Sequence, residues 1–180
     1  MFLRFSKLLK QYPRAVNCAV YGTMCIGAEF SQQTLNKKYF DKTEPEKPYD
    51  TGILLRYAVI GTCINPNLLF YWYRWLDKKF VGKSLQIVVK KMVLDQFLMT
   101  PQLLVIFYIS MSIMEGKKDL LEECKQKIVP TFKTSCMFWL PAQAINFLLV
   151  PPSARVIYVG TCSFIWINML CLLKRKSYKE

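Results

Sequence analysis

Long stretches without a single charged residue set the strictest limit on how this chain folds. Five can be read off: Ala15–Ala28, Tyr57–Tyr73, Gln96–Met114, Thr134–Ala154 and Val156–Leu173, the last four running 17 to 21 residues. An α-helix rises about 1.5 Å per residue, so roughly 20 apolar residues cross the ~30 Å hydrocarbon core of a bilayer. Ala15–Ala28 reaches useful length if the helix continues past Glu29 to Gln33 and turns that carboxylate toward other helices. Within hydrocarbon the backbone must satisfy its own hydrogen bonds, which leaves helices and closed barrels. These stretches are too long for barrel strands and do not alternate polar with apolar residues. Several internal spans also exclude a simple cleaved secretory signal. The expectation is an all-α integral membrane helical bundle with four or five spanning helices plus short amphipathic interfacial helices. It forms a single membrane-embedded domain over residues 1–180, with spans near 15–35, 53–73, 92–114, 133–150 and 154–173.

Composition alone decides less than its distribution. The chain is 53% hydrophobic with a formal net charge of +13, and a soluble domain is itself about 45–50% apolar. A basic excess often marks nucleic-acid binding, but the cations here sit beside span ends: Arg74, Lys78, Lys79 and Lys83 after one, Lys90 and Lys91 before the next, Lys174, Arg175 and Lys176 after the last. Lipid headgroups and topology signals favour that placement, so no nucleic-acid partner is expected. Lys and Arg divide too evenly between the two sides to orient the bundle. Residues 1–14 carry Arg4, Lys7, Lys10 and Arg14 with no acid, and Phe2, Phe5, Leu9 and Tyr12 at helical spacing. This basic amphipathic arm fits a mitochondrial import signal or a helix lying on headgroups. Lys37–Asp50 reads as a solvated loop, and the basic link Arg74–Lys91 has Gly82 as its turn. Glu115–Lys127 reads as a surface-lying amphipathic helix broken by Pro130, and Pro151–Pro152 as a short turn before the last span.

Polar residues inside spans are the candidate functional set. Lys91 and Asp95 are four apart and share a helical face. A carboxylate at mid-bilayer costs about 2.5–3.5 kcal/mol on insertion scales, which a partner reduces. The favoured reading places Asp95 at the interface, near the positive end of a helix dipole. Gln143 and Asn146 share one face within Thr134–Ala154, either bonding a neighbouring helix or lining a hydrated cavity. Pro66, Pro101 and Pro141 fall in three different spans and kink them. Ala15/Ala19 and Cys18/Gly22 allow close helix packing, and Tyr71, Trp72, Tyr73 and Trp75 read as an interfacial aromatic belt.

The chemistry missing from the sequence is as informative. There is no histidine, no CxxC pair and no phosphate-cradling glycine loop, so His-dependent triads, imidazole metal sites and HExxH proteases are excluded. The seven cysteines lie mostly in apolar stretches and fit neither a disulfide scaffold nor a zinc site. No nucleophile has a plausible base. The reading is non-enzymatic, with no cofactor and no metal.

Several residues resemble the Mpv-seventeen family, which includes the twenty-two-kilodalton peroxisomal membrane protein, and especially its Mpv-seventeen-like branch. Lys91, Asp95-Gln96 and Pro101 match one family spacing. Trp139, Gln143, Asn146-Phe147, Val150-Pro151 and Arg155 match its tryptophan–glutamine–asparagine–phenylalanine–valine–proline–arginine signature. Tyr12-Pro13, Asn17, Tyr21-Gly22 and Gln32-Gln33 also fit, and Phe107–Lys127 is similar to the Mpv-seventeen-like branch. There are departures: Ala28-Glu29 stands for glycine-aspartate, Leu140 takes the usual proline position ahead of Pro141, Val81 replaces a proline, and Ile167 follows Trp166 where asparagine is usual. The resemblance implies a multi-spanning protein of the mitochondrial inner membrane, or alternatively of the peroxisomal membrane. It links the chain to reactive-oxygen metabolism and to non-selective channels, and makes Lys91, Asp95, Gln96, Gln143, Asn146 and Arg155 the candidate pore or interhelical residues. The implied function is a pore for small solutes, with a non-conducting membrane adaptor as the alternative. Implied partners are the lipid bilayer, solutes of unspecified identity and further copies of the chain.

Overall fold

A computed structural model describes residues 11–40, 48–82 and 84–176, with side chains omitted at 39–40 and 170–176. Most of the basic arm (1–10), the middle of the Lys37–Asp50 loop (41–47) and the tail Ser177–Glu180 lie outside the described residues. The described residues form five long helices and no strand: α1 Pro13–Leu35, α2 Thr51–Lys79, α3 Leu85–Met114, α4 Glu122–Leu149 and α5 Arg155–Lys176. Two of them are long and apolar enough to cross a bilayer, α2 with 29 residues and α3 with 30, at mean hydropathies of 1.4 and 1.8 over their most apolar windows.

Local chemistry sets the helix ends. Pro13 opens α1, where its missing N–H costs nothing. Asp50 caps α2 by accepting from the Ile53 N–H at 2.9 Å. Gln33 in α1 ties that cap down, accepting from the Asp50 N–H at 2.9 Å and donating to its carbonyl at 3.1 Å. Gly82, at φ +115, supplies the left-handed residue in the five-residue link between α2 and α3. The basic link expected from Arg74 to Lys91 is therefore mostly helix. Between α4 and α5, Pro151 fixes an extended residue and Pro152–Ala154 form one tight turn.

Two prolines reshape their helices in the same way. Asn65 N–H bonds the carbonyl of Ile60, and Thr100 N–H that of Asp95, five residues back instead of four. Each wide turn ends just before a proline, Pro66 or Pro101, whose ring cannot lie against a normal preceding turn. The flanking sequences match as well: Asn65-Pro66-Asn67-Leu68-Leu69 with Tyr73, and Thr100-Pro101-Gln102-Leu103-Leu104 with Tyr108.

The expected break at Pro130 does not occur. α4 runs unbroken through Pro130 and Pro141. A proline removes one backbone bond and bends a helix; it ends the helix only if nothing holds both sides, and here Cys124 and Ser135 are buried on either side of Pro130. Glu115–Lys127 is likewise not one surface helix: a turn through Gly116 (φ +66) leads into the first turns of α4. Lys117 reaches Glu115 and Glu123 at 2.6 Å each, and Lys127 also reaches Glu123. Glu115 and Glu123 hold the Lys117 ammonium above its ordinary pKa. Lys117 and Lys127 hold the Glu123 carboxyl below the usual carboxylate range.

The helices divide into two compact units. The first holds residues up to Asn67 together with those from Val156 onward, and the second holds Leu68–Arg155. In the first unit α1 lies tightly against α2: a Cβ at Gly22 would sit 2.1 Å from Thr62 Oγ1, and one at Gly61 2.7 Å from Cys25 Cβ. The Tyr21 hydroxyl pairs with Ser163 of α5 at 3.3 Å. In the second unit α3 packs on α4, with Tyr108 Oη 2.9 Å from Thr131 Oγ1.

Candidate functional site: a buried polar network

The second unit holds a set of polar side chains, of which Tyr73, Lys91 and Arg155 stand around the ring of Phe147, itself buried on α4. From α2 come Trp72, Tyr73 and Asp77; from α3, Lys91, Asp95 and Gln96; from α4, Ser135, Gln143 and Asn146; and from the start of α5, Arg155. The wide turn Asp95–Met99 explains how two adjacent α3 residues serve different neighbours. Asp95 faces α2 and the C-terminal half of α4, whereas Gln96 donates to Ser135 Oγ at 3.1 Å and Cys136 Sγ at 3.3 Å.

Asp77 Oδ1 accepts from Lys91 Nζ at 2.7 Å and from Arg155 Nη1 at 2.5 Å, both cations being buried. Arg155 Nε also donates to the Val150 carbonyl at 3.4 Å, which anchors the Pro151–Pro152 turn. The two cations flank the Phe147 ring, with Lys91 Nζ 5.9 Å and Arg155 Cζ 5.2 Å from its centroid, and Tyr73 meets that ring edge-on at 5.8 Å. Asp95 accepts from Trp72 Nε1 at 2.8 Å and from Gln143 Nε2 at 2.5 Å. Gln143 Nε2 also donates to Tyr73 Oη at 3.0 Å, and Gln143 Oε1 accepts from Asn146 Nδ2 at 2.7 Å. Asn146 Oδ1, Gln96 Oε1 and Ser112 Oγ are buried and accept no hydrogen bond among the described residues.

Hydrogen bonds gather the six polar candidates into three groups: Lys91 and Arg155 on Asp77; Asp95, Gln143 and Asn146 with Trp72 and Tyr73; and Gln96 with Ser135 and Cys136, while the Phe147 ring lies between Tyr73 and the two cations. Lys91 serves Asp77, not Asp95, its neighbour one turn along the same helix. Asp95 does not stand at the start of its helix, since α3 begins at Leu85, ten residues earlier, and its side chain is buried among other helices of the second unit. Pro101 shapes the wide turn that carries Asp95 and Gln96. Trp139 is half-buried beside Phe138, Pro141 is exposed on α4, Pro151 lies in the turn before Arg155, and Trp166 is buried and belongs to the first unit. Four participants escaped the sequence analysis as site residues. Trp72 and Tyr73 read there as interfacial belt, and Asp77 and Ser135 were not among the candidates. The available signal was the four-residue spacing of Tyr73 and Asp77, which puts a carboxylate on the face of a buried hydroxyl.

Chemically, the arrangement offers a polar seam in which the Asp77 carboxylate offsets two cations and the Asp95 carboxylate, the Gln143 and Asn146 amides and the Tyr73 hydroxyl form a hydrogen-bonded chain. Among the described residues no cluster of three or more Cys, Asp or Glu side chains is placed to hold a metal ion.

No solved structure matches the chain. The sequence profile of the Mpv17 / PMP22 family matches residues 112–171, the stretch holding Ser135, Gln143, Asn146 and Arg155. An Mpv17-like protein from Xenopus laevis is 32% identical over 171 residues, covering 95% of this chain and 81% of that one. An Mpv17-like protein from Bos taurus is 30% identical over 166 residues (92% and 80%), and peroxisomal membrane protein 2 of Bos taurus is 25% identical over 172 residues (94% and 87%). The similarity runs nearly the full length of the chain, and with it the protein belongs to the Mpv17 / PMP22 family of membrane proteins.

Proposed function

We propose that the protein is a pore for small polar solutes in an organelle membrane, with all five helices crossing the bilayer. The observation that carries this reading is the polar seam itself. It draws on α2 and α3, the two helices apolar enough to cross hydrocarbon, and two of its buried acceptor oxygens, on Asn146 and on Gln96 next to Asp95, have no donor among the described residues. Buried acceptors without donors are costly and are ordinarily met by water, and a hydrated seam between helices is the minimum a solute path requires. The basic, acid-free arm supports the mitochondrial inner membrane, while the similarity to peroxisomal membrane protein 2 supports the peroxisomal membrane as the alternative. A part in reactive-oxygen and metabolite balance follows from the family resemblance. Purified protein in planar bilayers is expected to give discrete conductance steps, lowered or abolished by Gln143→Leu or Asn146→Leu. Clean protein that never conducts across a range of voltage overturns the pore. Tagging with a fluorescent protein decides the organelle.

The charged turn after α3 favours a second reading, a non-conducting adaptor that recruits partner proteins. Lys117, Glu123 and Lys127 form a linked set of ion pairs at the start of α4. Scrambling Glu115–Lys127 is expected to release a cross-linkable partner if the adaptor is correct, and to leave conductance intact if the pore is.

A further inference from the structure

The buried network shares its charges unevenly. Both cations close on a single oxygen of Asp77, whose side chain is 26% exposed. Among the described residues Asp95, 4% exposed, meets only neutral N–H groups, those of Trp72 and Gln143. Two neutral donors offset only part of the cost of holding a carboxylate away from water, a cost that the neutral acid does not bear. α2 presents Trp72, Tyr73 and Asp77, α3 presents Lys91 one turn before, α4 presents Gln143 and Asn146, and Arg155 stands at the start of α5. With Asp95 ionised, the two acids and two bases cancel; with Asp95 protonated, the set carries one positive charge. The pull of the two cations therefore opposes a proton while local burial favours it.

The hydrogen bonds around Asp95 have a second self-consistent direction. At present they run toward the carboxylate: Asn146 Nδ2 donates to Gln143 Oε1, and Gln143 Nε2 donates to Asp95 Oδ2. Asn146 Oδ1 is left buried with nothing to accept. A protonated Asp95 needs an acceptor for its O–H. Trp72 has only a donor, so the acceptor must be the other oxygen-bearing neighbour, Gln143. Half a turn of the Gln143 amide brings Oε1 to the acid and swings Nε2 toward Asn146. A matching half turn of Asn146 then places its idle Oδ1 to accept. Tyr73, whose hydroxyl accepts from Gln143 now, donates in the reversed arrangement.

We propose that Asp95 is a proton-binding site, and that proton uptake reverses the Asp95–Gln143–Asn146 hydrogen-bond relay. The step is a simple addition: one proton from water joins Asp95 Oδ2, no covalent bond breaks, and the site gains one positive charge. This inference does not depend on the pore, since a proton switch would serve a closed bundle equally well.

The test is infrared difference spectroscopy of the full chain in lipid nanodiscs, with ¹³C-labelled Asp and Gln side-chain carbonyls, titrated across the pH range in which the protein stays folded. The expected result is loss of a carboxylate band and gain of a protonated-acid band. A Gln side-chain carbonyl band should shift with the same midpoint. In Asp95→Asn, whose amide donates as the acid would, the acid band is expected to vanish and the Gln band to hold its low-pH position at every pH. An Asp95 that never changes protonation state overturns the site. An acid band that titrates while the Gln band stays fixed overturns the relay. Should Asp95→Asn fail to fold, assigning the titrating Gln band with Gln143→Glu, which removes that labelled amide, decides the relay in the same way.

Discussion

At the scale of single residues, Asp77 carries the heaviest electrostatic duty, because one of its oxygens serves both Lys91 and Arg155. Removing one partner of a buried ion pair leaves an uncompensated charge and costs about 3–5 kcal/mol. Asp77→Asn strands two cations and is expected to destabilise the folded protein by at least that order, more than Lys91→Met, which still leaves Arg155 paired. Equilibrium unfolding in bicelles measures both, and equal losses would show that the two cations do not share the carboxylate. Gln143→Leu removes the donor to Asp95 and Tyr73, and interhelical hydrogen bonds in membranes are worth about 1–2 kcal/mol at most in model peptides. A loss of that order is expected, shrinking when Asp95 is already Asn. The i,i+4 and i,i+3 spacings of Lys91/Asp95 and Gln143/Asn146 made these residues visible in the sequence, because helical periodicity fixes which residues share a face. Their partners were not visible: that Lys91 turns to Asp77 fourteen positions earlier depends on how α2 meets α3, which no local spacing encodes.

At the scale of elements, the helices take their form from prolines, glycines and caps. In the first unit the contact of α1 with α2 depends on Gly22, where a Cβ would sit 2.1 Å from Thr62 Oγ1 and 3.3 Å from the Thr62 Cα. Overpacking a tight contact costs about 1–3 kcal/mol, so Gly22→Ala should lower stability by about that much, with Thr62→Ala restoring part of it; a double mutant no more stable than Gly22→Ala would place the clash elsewhere. The turn after α3 carries a pH signature. Glu123, held below its ordinary carboxyl range by Lys117 and Lys127, adds stability above the unfolded pKa and loses it as pH falls through the folded one. Lys117, held above its ordinary value by Glu115 and Glu123, adds stability below its unfolded pKa and loses it as pH rises through the folded one. Hydrogen exchange of residues 115–127 should therefore be slowest, after correction for intrinsic rates, between the carboxylate and ammonium ranges and lose protection at both extremes, and Glu123→Gln should remove the acid-side loss. The small-residue spacing at Cys18/Gly22 announced the close approach in the sequence. The wide turns before Pro66 and Pro101, and the continuity of α4 through Pro130, were not legible, because a proline's effect depends on whether packing holds the helix on both sides.

At the scale of the whole molecule, the lasting constraint is the exclusion of water from long apolar helices. After alkaline carbonate washing the protein should stay in the membrane pellet; recovery in the supernatant would contradict its reading as an integral protein. If all five helices cross, tags at the two ends of the chain should report opposite sides of the membrane in protease-protection assays, whereas an even number of crossings would place them together. The sequence by itself determined that the chain is helical and lipid-embedded, since the length of an uncharged run and the demand for internal backbone hydrogen bonds are properties of each segment alone. It also determined the family and the helical faces on which polar residues stand. Only the tertiary structure decided which polar groups meet: that two cations converge on Asp77, that Trp72 and Tyr73 turn inward, and that Asp95 is left with neutral partners. The physical reason is that side chains far apart in sequence acquire their partners only when helices pack, and a hydrogen bond exists only where both ends arrive within about 3 Å.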